Sequence, residues 1–475
     1  MLFNSLQFAL FFVIVYSLYL ILKHRWQNYL LLIASYVFYG WWDWRFLSLI
    51  FASTLLDYFC GLKIGQASGK NKKIFLYLSV AGNLSILGFF KYYNFFAGNL
   101  KVLFDTAGIT VQPIFLDIIL PVGISFYTFQ TMSYTIDIYR GELKPTKHFL
   151  DFALFVAFFP QLVAGPIERA KYLLPQILKP RQVTAHHFYQ GCYQIFWGLF
   201  LKMFVADNMA KIVDPIFAAD LPNGAAALLG MYAFTFQIFC DFAGYSSMAR
   251  GLGQMMGFEI MLNFNLPFFV TNVQEFWNKW HMSLSTWVRD YVYMPLISGL
   301  RSINGTTRVY ASLMISMALM GLWHGAAWTY VVFGIYYGFL LVIFLYMKRK
   351  ILYKIRFQNP VSQKIWFAAR VVFMFHLTAI GMMIFRAQGI GQAWEMFTAL
   401  FTHFQMTDDV FGMYFKFTAI VAPLLVMQCI QFKTGDLMFL GKQPWLIKTA
   451  AHALMLYLLL GWGVMTAEQF IYFQF

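Results

Sequence analysis

The chain has 475 residues, of which 60% are hydrophobic and only 12% are charged, and its mean hydropathy is +0.61. Soluble globular domains carry about 25% charged residues, so this composition excludes a soluble enzyme and predicts a polytopic membrane protein surrounded by lipid. The formal net charge is +15. No basic run is interleaved with aromatic residues, however, so a nucleic-acid partner is not expected.

Apolar runs recur along the whole chain and predict about 11 spanning helices. Several runs are short or are broken by Pro and Gly, as at Pro121–Gly123. Such irregular backbone is tolerated at membrane depth only where protein or a water-filled cavity surrounds it. We therefore expect an all-α fold with additional re-entrant and interfacial helices, in a single integral-membrane domain over residues 1–475. The runs lie at about 5–22, 29–41, 46–62, 74–90, 114–138, 149–164, 188–206, 224–262, 288–299, 309–347, 364–385, 412–431 and 445–465.

The basic residues predict the orientation of the chain, because they concentrate in the hydrophilic breaks and such breaks face the cytoplasm. If Lys23–Arg25 and Lys63–Lys73 are both cytoplasmic, two helices lie between them and the N-terminus is extracytoplasmic. The loop Lys348–Arg356 is the strongest cytoplasmic marker. Leu2–Leu22 has no small-residue cleavage site after it and is expected to be a retained first helix.

The four cysteines are far apart in apolar surroundings and show no metal-ligand spacing. We expect small buried hydrophobic side chains there. No metal site and no bound cofactor are predicted.

His324 is the most informative residue of the chain. The stretch Val309–Met347 around it has 39 residues and no Lys, Arg, Asp or Glu. One helix of that length would extend roughly 58 Å, nearly twice the hydrocarbon core of about 30 Å, so two helices are predicted to meet near His324. An imidazole inside a membrane usually binds, relays protons or catalyses. The alternative is a packed core histidine bonded to a backbone carbonyl.

A second informative stretch, Phe276–Pro295, is predicted to form one amphipathic helix after an N-cap at Thr271 or Asn272. The helix would place one aromatic stripe opposite a polar trio. An interfacial helix without catalysis explains the stripe equally well, and Arg289 with Asp290 suits a helix-end ion pair. The stripe is Trp277, Trp280, Leu284, Trp287 and Tyr291, and the trio is Asn278, His281 and Ser285.

Residues 276–296 and 321–338 together resemble the signature of the membrane-bound O-acyltransferase (MBOAT) family, in the bacterial branch that includes the membrane subunit of alginate O-acetylation. One departure is visible, since Ile297–Gly299 stands where members often have two glycines. Three further stretches agree with that branch: Pro121–Gln130, Phe159–Pro166 and Phe470–Phe475.

The resemblance implies an MBOAT fold around a central tunnel, with the motif-bearing core at about 114–347. It implies that His324 is the catalytic histidine and His281 the second catalytic position. Neutral imidazole in a poorly solvated site suits the removal of a hydroxyl proton during acyl transfer, and His281 or Asn278 is suited to stabilise the oxyanion. The expected substrate-binding residues are Asn278, Trp280, Ser285, Arg289, Asp290 and Trp323.

The expected activity is O-acetylation by a multi-pass protein of the bacterial inner membrane. Acetyl from a cytoplasmic thioester, acetyl-CoA, would pass across the bilayer at His324. It would go to an extracytoplasmic polysaccharide, as in alginate and other exopolysaccharide biosynthesis, or to a periplasmic SGNH-type acetyltransferase partner. Transfer of D-alanine from a carrier protein to teichoic acid is a more distant alternative. The competing class is a transporter or flippase with a His/Asp proton relay, although no inverted repeat is visible.

Overall fold

The computed structural model of the chain describes residues 1–163, 165–219, 223–354, 357–466 and 468–471, and within these ranges it contains helices and no strands. The all-α prediction is confirmed. Three predicted features fall partly outside the described residues: Ala164 of the Phe159–Pro166 stretch, Arg356 of the basic loop, and residues 472–475 of the last motif.

The chain folds into two compact units, and the prediction of a single domain over 1–475 stays a prediction. The first unit comprises residues 1–195 and 246–261. Its helices are α1 (Leu6–Ile21), α2 (His24–Asp43), α3 (Leu47–Gln66), α4 (Gly69–Leu87), α5 (Tyr93–Thr106), α6 (Ile124–Arg140), α7 (Phe149–Ala157), α8 (Phe159–Leu162), α9 (Ala170–Leu178) and most of α10 (Ala185–Leu199).

Within the first unit, two of the sequence motifs pack against each other. Gly123 precedes α6 with a φ of 75°, a left-handed conformation that favours glycine. A Cβ at this position would lie 2.5 Å from the carbonyl oxygen of Leu162. The glycine of the Pro121–Gln130 motif is therefore required for close contact with the Phe159–Pro166 motif.

The second unit comprises residues 196–245 and 262–475. It contains a π-helical segment at Phe200–Ala206 and another at Arg289–Tyr293. Its α-helices are α11 (Asp207–Ala218), most of α12 (Gly224–Met255), α13 (Val273–Lys279), α14 (Met282–Val288), α15 (Met294–Gly299), α16 (Gly305–His324), α17 (Trp328–Lys350), α18 (Pro360–Arg386), α19 (Ile390–Thr402), α20 (Asp408–Thr434) and α21 (Trp445–Trp462).

Seven helical stretches among the described residues are long and apolar enough to cross a membrane. Two of them join consecutive helices, since His24–Gln66 includes α2 and α3, and Gly69–Thr106 includes α4 and α5. The shorter α1 is also apolar. The protein is therefore a multi-pass membrane protein, as its composition predicts.

The predicted junction near His324 is confirmed, because α16 ends at that residue and α17 begins at Trp328. Glycines let the two helices pack with their backbones in contact. A Cβ at Gly321 would collide with the carbonyl oxygen of Tyr330, and one at Gly334 with that of Met317. Small residues serve this purpose at helix contacts inside membranes.

The expectation for the cysteines is half right. Cys60 and Cys240 are buried, as expected of small hydrophobic residues, whereas Cys192 and Cys429 are exposed. Both exposed cysteines lie on helices, in apolar stretches. A side chain there can face outward because lipid is as apolar as the protein core.

Candidate active site

The second unit brings His281 and His324 together in its interior. The centroids of the two imidazole rings lie 6.3 Å apart. His281 is 0% exposed and His324 is 4% exposed. The two imidazoles are therefore close neighbours in the core, as a base and an oxyanion donor of one site must be.

His281 occupies a sharp turn between two seven-residue helices. Its φ and ψ are 40° and 54°, a left-handed conformation that few non-glycine residues adopt. Helix α13 ends before it and α14 begins after it. The prediction of one continuous helix over Phe276–Pro295 is therefore wrong. The N-cap prediction is confirmed, because Asn272 Oδ1 accepts a hydrogen bond of 2.9 Å from the backbone N–H of Glu275.

Asn263 holds the turn at His281. Its backbone carbonyl accepts a hydrogen bond of 2.9 Å from the N–H of Met282. Its side-chain oxygen accepts from the N–H and the hydroxyl of Ser283, at 3.2 Å and 2.9 Å. Left-handed backbone at a non-glycine residue costs about 1–3 kcal/mol and persists only where the surroundings fix it. These three bonds supply that constraint.

Aromatic rings surround the histidine pair. Phe242 lies edge-on to His281 with ring centroids 4.6 Å apart, and Phe385 lies 5.2 Å from His324. Trp323 contacts both imidazoles, at 6.0 Å from His281 and 5.1 Å from His324.

His281 lies outside the candidate spans, and its burial, with a smaller effect from His324, lowers its pKa well below the usual range. Burial therefore favours the neutral form of the His281 imidazole.

A cavity of about 690 Å³ approaches the pair along α16. Met320 lines the cavity one turn before His324, and Met282, next to His281, lines it as well. The α16 side chains in its wall recur at three- and four-residue spacing, which places them on one face of the helix, and the same spacing continues to His324. They are Val309, Leu313, Ser316, Met317 and Met320.

The other part of the cavity wall is basic. Arg289 and Arg349 both line it, and Arg349 belongs to the Lys348–Lys350 cluster that ends α17. An adjacent cavity of about 490 Å³ shares Gln274 and Asn278 with the first and is also lined by Lys348 and Arg370. The cavity wall thus combines basic residues with apolar residues of α16, and neither His281 nor His324 is part of it.

The structure separates the polar trio that the sequence places on one helical face. Asn278 and Ser285 line the cavity, whereas His281 is buried among aromatic rings. The turn at His281 causes the separation, because it rotates α14 relative to α13. Asn278 therefore belongs to the cavity wall rather than to the immediate surroundings of the imidazoles.

The other predicted residues have different positions. Trp280 is 3% exposed and stacks on Phe276 with ring centroids 5.4 Å apart, so it packs in the core. Arg289 lines the cavity and forms an ion pair of 2.7 Å with Asp290, as the helix-end interpretation expects.

Sequence analysis missed Asn263 and Phe242. Phe242 lies 34 residues and Asn263 lies 13 residues before Phe276, where the motif begins, so the periodicity within the motif cannot point to either. A buried Asn in an apolar run is the one signal that was available, because such an amide needs hydrogen-bond partners.

Comparison with known proteins identifies the family of the chain. The family described as MBOAT, membrane-bound O-acyltransferase family, matches residues 140–385, more than half of the chain. The chain is 42% identical to the "Probable alginate O-acetylase AlgI" of Azotobacter vinelandii, over 85% of this chain and 78% of that protein. It is 34% identical to the "Peptidoglycan O-acetyltransferase" of Helicobacter pylori, over 66% of this chain and 63% of that protein. It is 33% identical to the "Teichoic acid D-alanyltransferase" of Streptococcus thermophilus, over 55% of this chain and 67% of that protein. The chain therefore belongs to the membrane-bound O-acyltransferase family and is a multi-pass membrane O-acyltransferase.

Proposed function

We propose that the protein moves acetyl groups from a cytoplasmic thioester donor, acetyl-CoA, to a hydroxyl on the opposite side of the bacterial inner membrane. The observation that supports this most is the buried His281–His324 pair, which lies close in the chain to Met282 and Met320, two wall residues of a cavity that is also lined by Arg289 and Arg349. In a thioester donor with a phosphate-bearing carrier, the phosphates suit the basic residues of the cavity wall and the acyl arm suits its apolar residues.

In the proposed chemistry, His324 accepts the proton of the acceptor hydroxyl as its oxygen attacks the thioester carbonyl. A tetrahedral intermediate forms, and His281 donates a hydrogen bond to its oxyanion. The intermediate collapses with cleavage of the carbon–sulfur bond. The proton held on His324 then passes to the departing thiolate, so the products are an ester and a free thiol.

The cavity suits the carrier of such a donor in size and polarity. Its volume lies within the range of about 300–1,000 Å³ that is typical of ligand pockets. Two buried polar atoms on its lining residues, Trp277 Nε1 and Ser316 Oγ, have no hydrogen-bond partner among the described residues. Buried polar groups are normally bonded, so we assign both to polar atoms of the donor's arm. Arg349 is placed to attract the phosphates.

The acceptor we propose is a polysaccharide outside the cytoplasm. Three relatives support this class, since their names specify alginate, peptidoglycan and teichoic acid, all of them polymers of the cell surface. A periplasmic SGNH-type acetyltransferase that completes the transfer belongs to the same proposal. Alginate is the preferred polymer because several alginate relatives match over 85% of the chain.

The experiment is turnover of radiolabelled acetyl-CoA by purified protein in detergent, without any ion gradient. His324→Ala should lower the rate by about 10²–10⁴, the usual contribution of a general base. It should leave membrane insertion intact, because one imidazole adds little to so apolar a chain. His281→Ala should be impaired, to a smaller extent.

His376→Ala is the matched control, because His376 is a histidine of the second unit that bonds Tyr232 at 2.7 Å, apart from the pair. It should stay near the parent rate. A parent-like rate in His324→Ala would show that the base is another residue. If the parent protein turned over no acetyl-CoA but accepted D-alanyl carrier protein, the donor would be the carrier protein and not acetyl-CoA. Turnover that depends on an ion gradient would favour the transporter.

A further inference from the structure

The last described segment of the chain, Glu468–Ile471, ends in the core of the second unit, whereas its first two residues are exposed. Phe470 is 0% exposed and Ile471 is 4% exposed. These residues open the last of the sequence motifs, which the proposed chemistry does not use. A short extended segment cannot bury itself, so its burial needs specific partners.

A buried ion cluster supplies those partners. Lys202 Nζ lies 2.6 Å from Asp241 Oδ1 and 2.7 Å from Asp207 Oδ1, and all three side chains are almost fully buried. The same ammonium donates a hydrogen bond of 3.3 Å to the carbonyl oxygen of Gln469. The second oxygen of Asp241 accepts one of 2.8 Å from the backbone N–H of Ile471. Asp241 therefore uses its two oxygens for two donors.

Local backbone geometry makes room for the cluster. Lys202 lies in the π-helical segment Phe200–Ala206, and π-turns occur frequently at functional sites. Gly244, one turn after Asp241 on α12, lets that segment approach closely, since a Cβ there would lie 2.8 Å from the carbonyl oxygen of Gly198. The cluster has two carboxylates for one ammonium, an expensive arrangement to bury. Replacement by apolar residues would often be no less stable, which suggests a role other than stability.

Ring contacts connect the segment to the histidine pair. The ring centroid of Phe470 lies 4.7 Å from that of Tyr245 and 5.5 Å from that of Phe242. Phe242 in turn lies 4.6 Å from His281, edge to face. Displacement of Phe470 would therefore remove one of the rings that pack against Phe242.

We propose that Asp241 and Phe470 are positioning residues of the acyl-transfer site: the Asp241–Lys202 pair fixes the segment Glu468–Ile471, and Phe470 then holds Phe242 against His281. This inference rests on the proposed roles of His281 and His324. It assigns a function to the first residue of the motif that begins at Phe470, far in sequence from both histidines.

Asp241→Asn and Asp207→Asn form a matched pair of tests. Each removes one negative charge from the same cluster. Asparagine offers one acceptor oxygen, so at position 241 either Lys202 or the Ile471 N–H loses its acceptor. Asp207 needs only one oxygen, because its Oδ2 has no hydrogen-bond partner among the described residues. Hydrogen–deuterium exchange of the peptide that contains residues 468–471 should become faster in Asp241→Asn and stay slow in Asp207→Asn.

Activity should follow the same pattern. In the acetyl-CoA assay, Asp241→Asn should lower kcat by about tenfold to 100-fold, because a misplacement of about 1 Å can cost about 100-fold. KM for acetyl-CoA should change little, since neither residue lines the donor cavity. Phe470→Leu should show the same loss. Phe155→Leu, at an equally buried phenylalanine of the first unit, should keep kcat with a comparable loss of thermal stability.

Phe470→Leu combined with Asp241→Asn should lose little more than either alone, because residues that act through one structure are not additive. Equal losses in Asp241→Asn and Asp207→Asn would assign the cluster to stability and overturn the proposal. Parent-like kcat in both Asp241→Asn and Phe470→Leu, with inactive His324→Ala, would overturn it and leave the proposed function standing. Active His324→Ala would instead refute the proposed chemistry on which it rests.

Discussion

At the scale of single residues, the site depends on how His281 is held as much as on the imidazole itself. The left-handed backbone at His281 removes its ring from the cavity wall to which Asn278 and Ser285 belong. Asn263 fixes this turn through bonds to Met282 and Ser283. The strained backbone at His281 is thus what places its imidazole beside His324.

Asn263→Ala should destabilise the protein and lower activity, because it leaves the N–H and the hydroxyl of Ser283 without their acceptor. An unsatisfied buried donor costs about 1–3 kcal/mol. We expect a lower thermal-unfolding midpoint and a loss of about tenfold or more in acetyl transfer through misplacement of His281.

Asn265→Ala is the control, since Asn265 lies two residues away and its bond to the Lys279 carbonyl comes from its backbone N–H. That bond survives the substitution. Thermal melts and acetyl-CoA turnover measured on both variants provide the check. Similar behaviour of the two would contradict the role given to Asn263.

His324 is accessible to sequence reasoning and Asn263 is not, for a physical reason. A histidine within 39 residues that lack Lys, Arg, Asp and Glu is conspicuous because the membrane penalises polar groups. The importance of Asn263 arises from hydrogen bonds to residues 282 and 283, about 20 positions along the chain. The periodicity of neighbouring residues cannot predict a hydrogen bond between residues so far apart in the chain.

At the scale of helices, the junction of α16 and α17 determines where His324 lies. Length and polarity predict the junction, since one helix over Val309–Met347 would be too long for a bilayer. The break at His281 is not predicted, because the aromatic spacing in Phe276–Pro295 fits a continuous helix. Tertiary hydrogen bonds from Asn263 override that local pattern.

Gly321→Ala should separate α16 from α17 and displace His324, because the added methyl group would collide with the carbonyl of Tyr330. Overpacking of this kind costs about 1–3 kcal/mol. We expect a lower unfolding midpoint together with reduced kcat, measured by thermal melts and the acetyl-CoA assay.

Gly412→Ala tests the same substitution inside α20, where nothing lies within 4 Å of the added Cβ. In a helix interior alanine is favoured over glycine by about 0.5–1 kcal/mol, so this variant should be neutral or slightly more stable. If Gly321→Ala were equally well tolerated, close packing would not be what sets the position of His324.

At the scale of the whole molecule, the distribution of charge gives a direction to the chemistry. The basic cluster at the end of α17 borders the donor cavity, and basic segments face the cytoplasm. Arg301 precedes α16 and Arg308 lies near its N-terminus, with no acidic residue between them. By the positive-inside rule we propose that α16 begins and α17 ends at the cytoplasmic face, that their junction at His324 lies inside the bilayer, and that the N-terminus of the chain lies outside the cytoplasm.

Transfer in sealed proteoliposomes tests the central claim most directly. Radiolabelled acetyl-CoA is added outside and mannuronan, an alginate precursor, is trapped inside. A single cysteine at Lys350, in protein whose native cysteines are replaced, reports orientation through an impermeant reagent. Where Lys350→Cys faces outward, we predict acetyl ester on the trapped polymer, free CoA outside the vesicles and no intact acetyl-CoA inside them. The His324→Ala protein should form neither the ester nor free CoA. Intact acetyl-CoA inside the vesicles, or equal labelling by the His324→Ala protein, would contradict acyl transfer at His324.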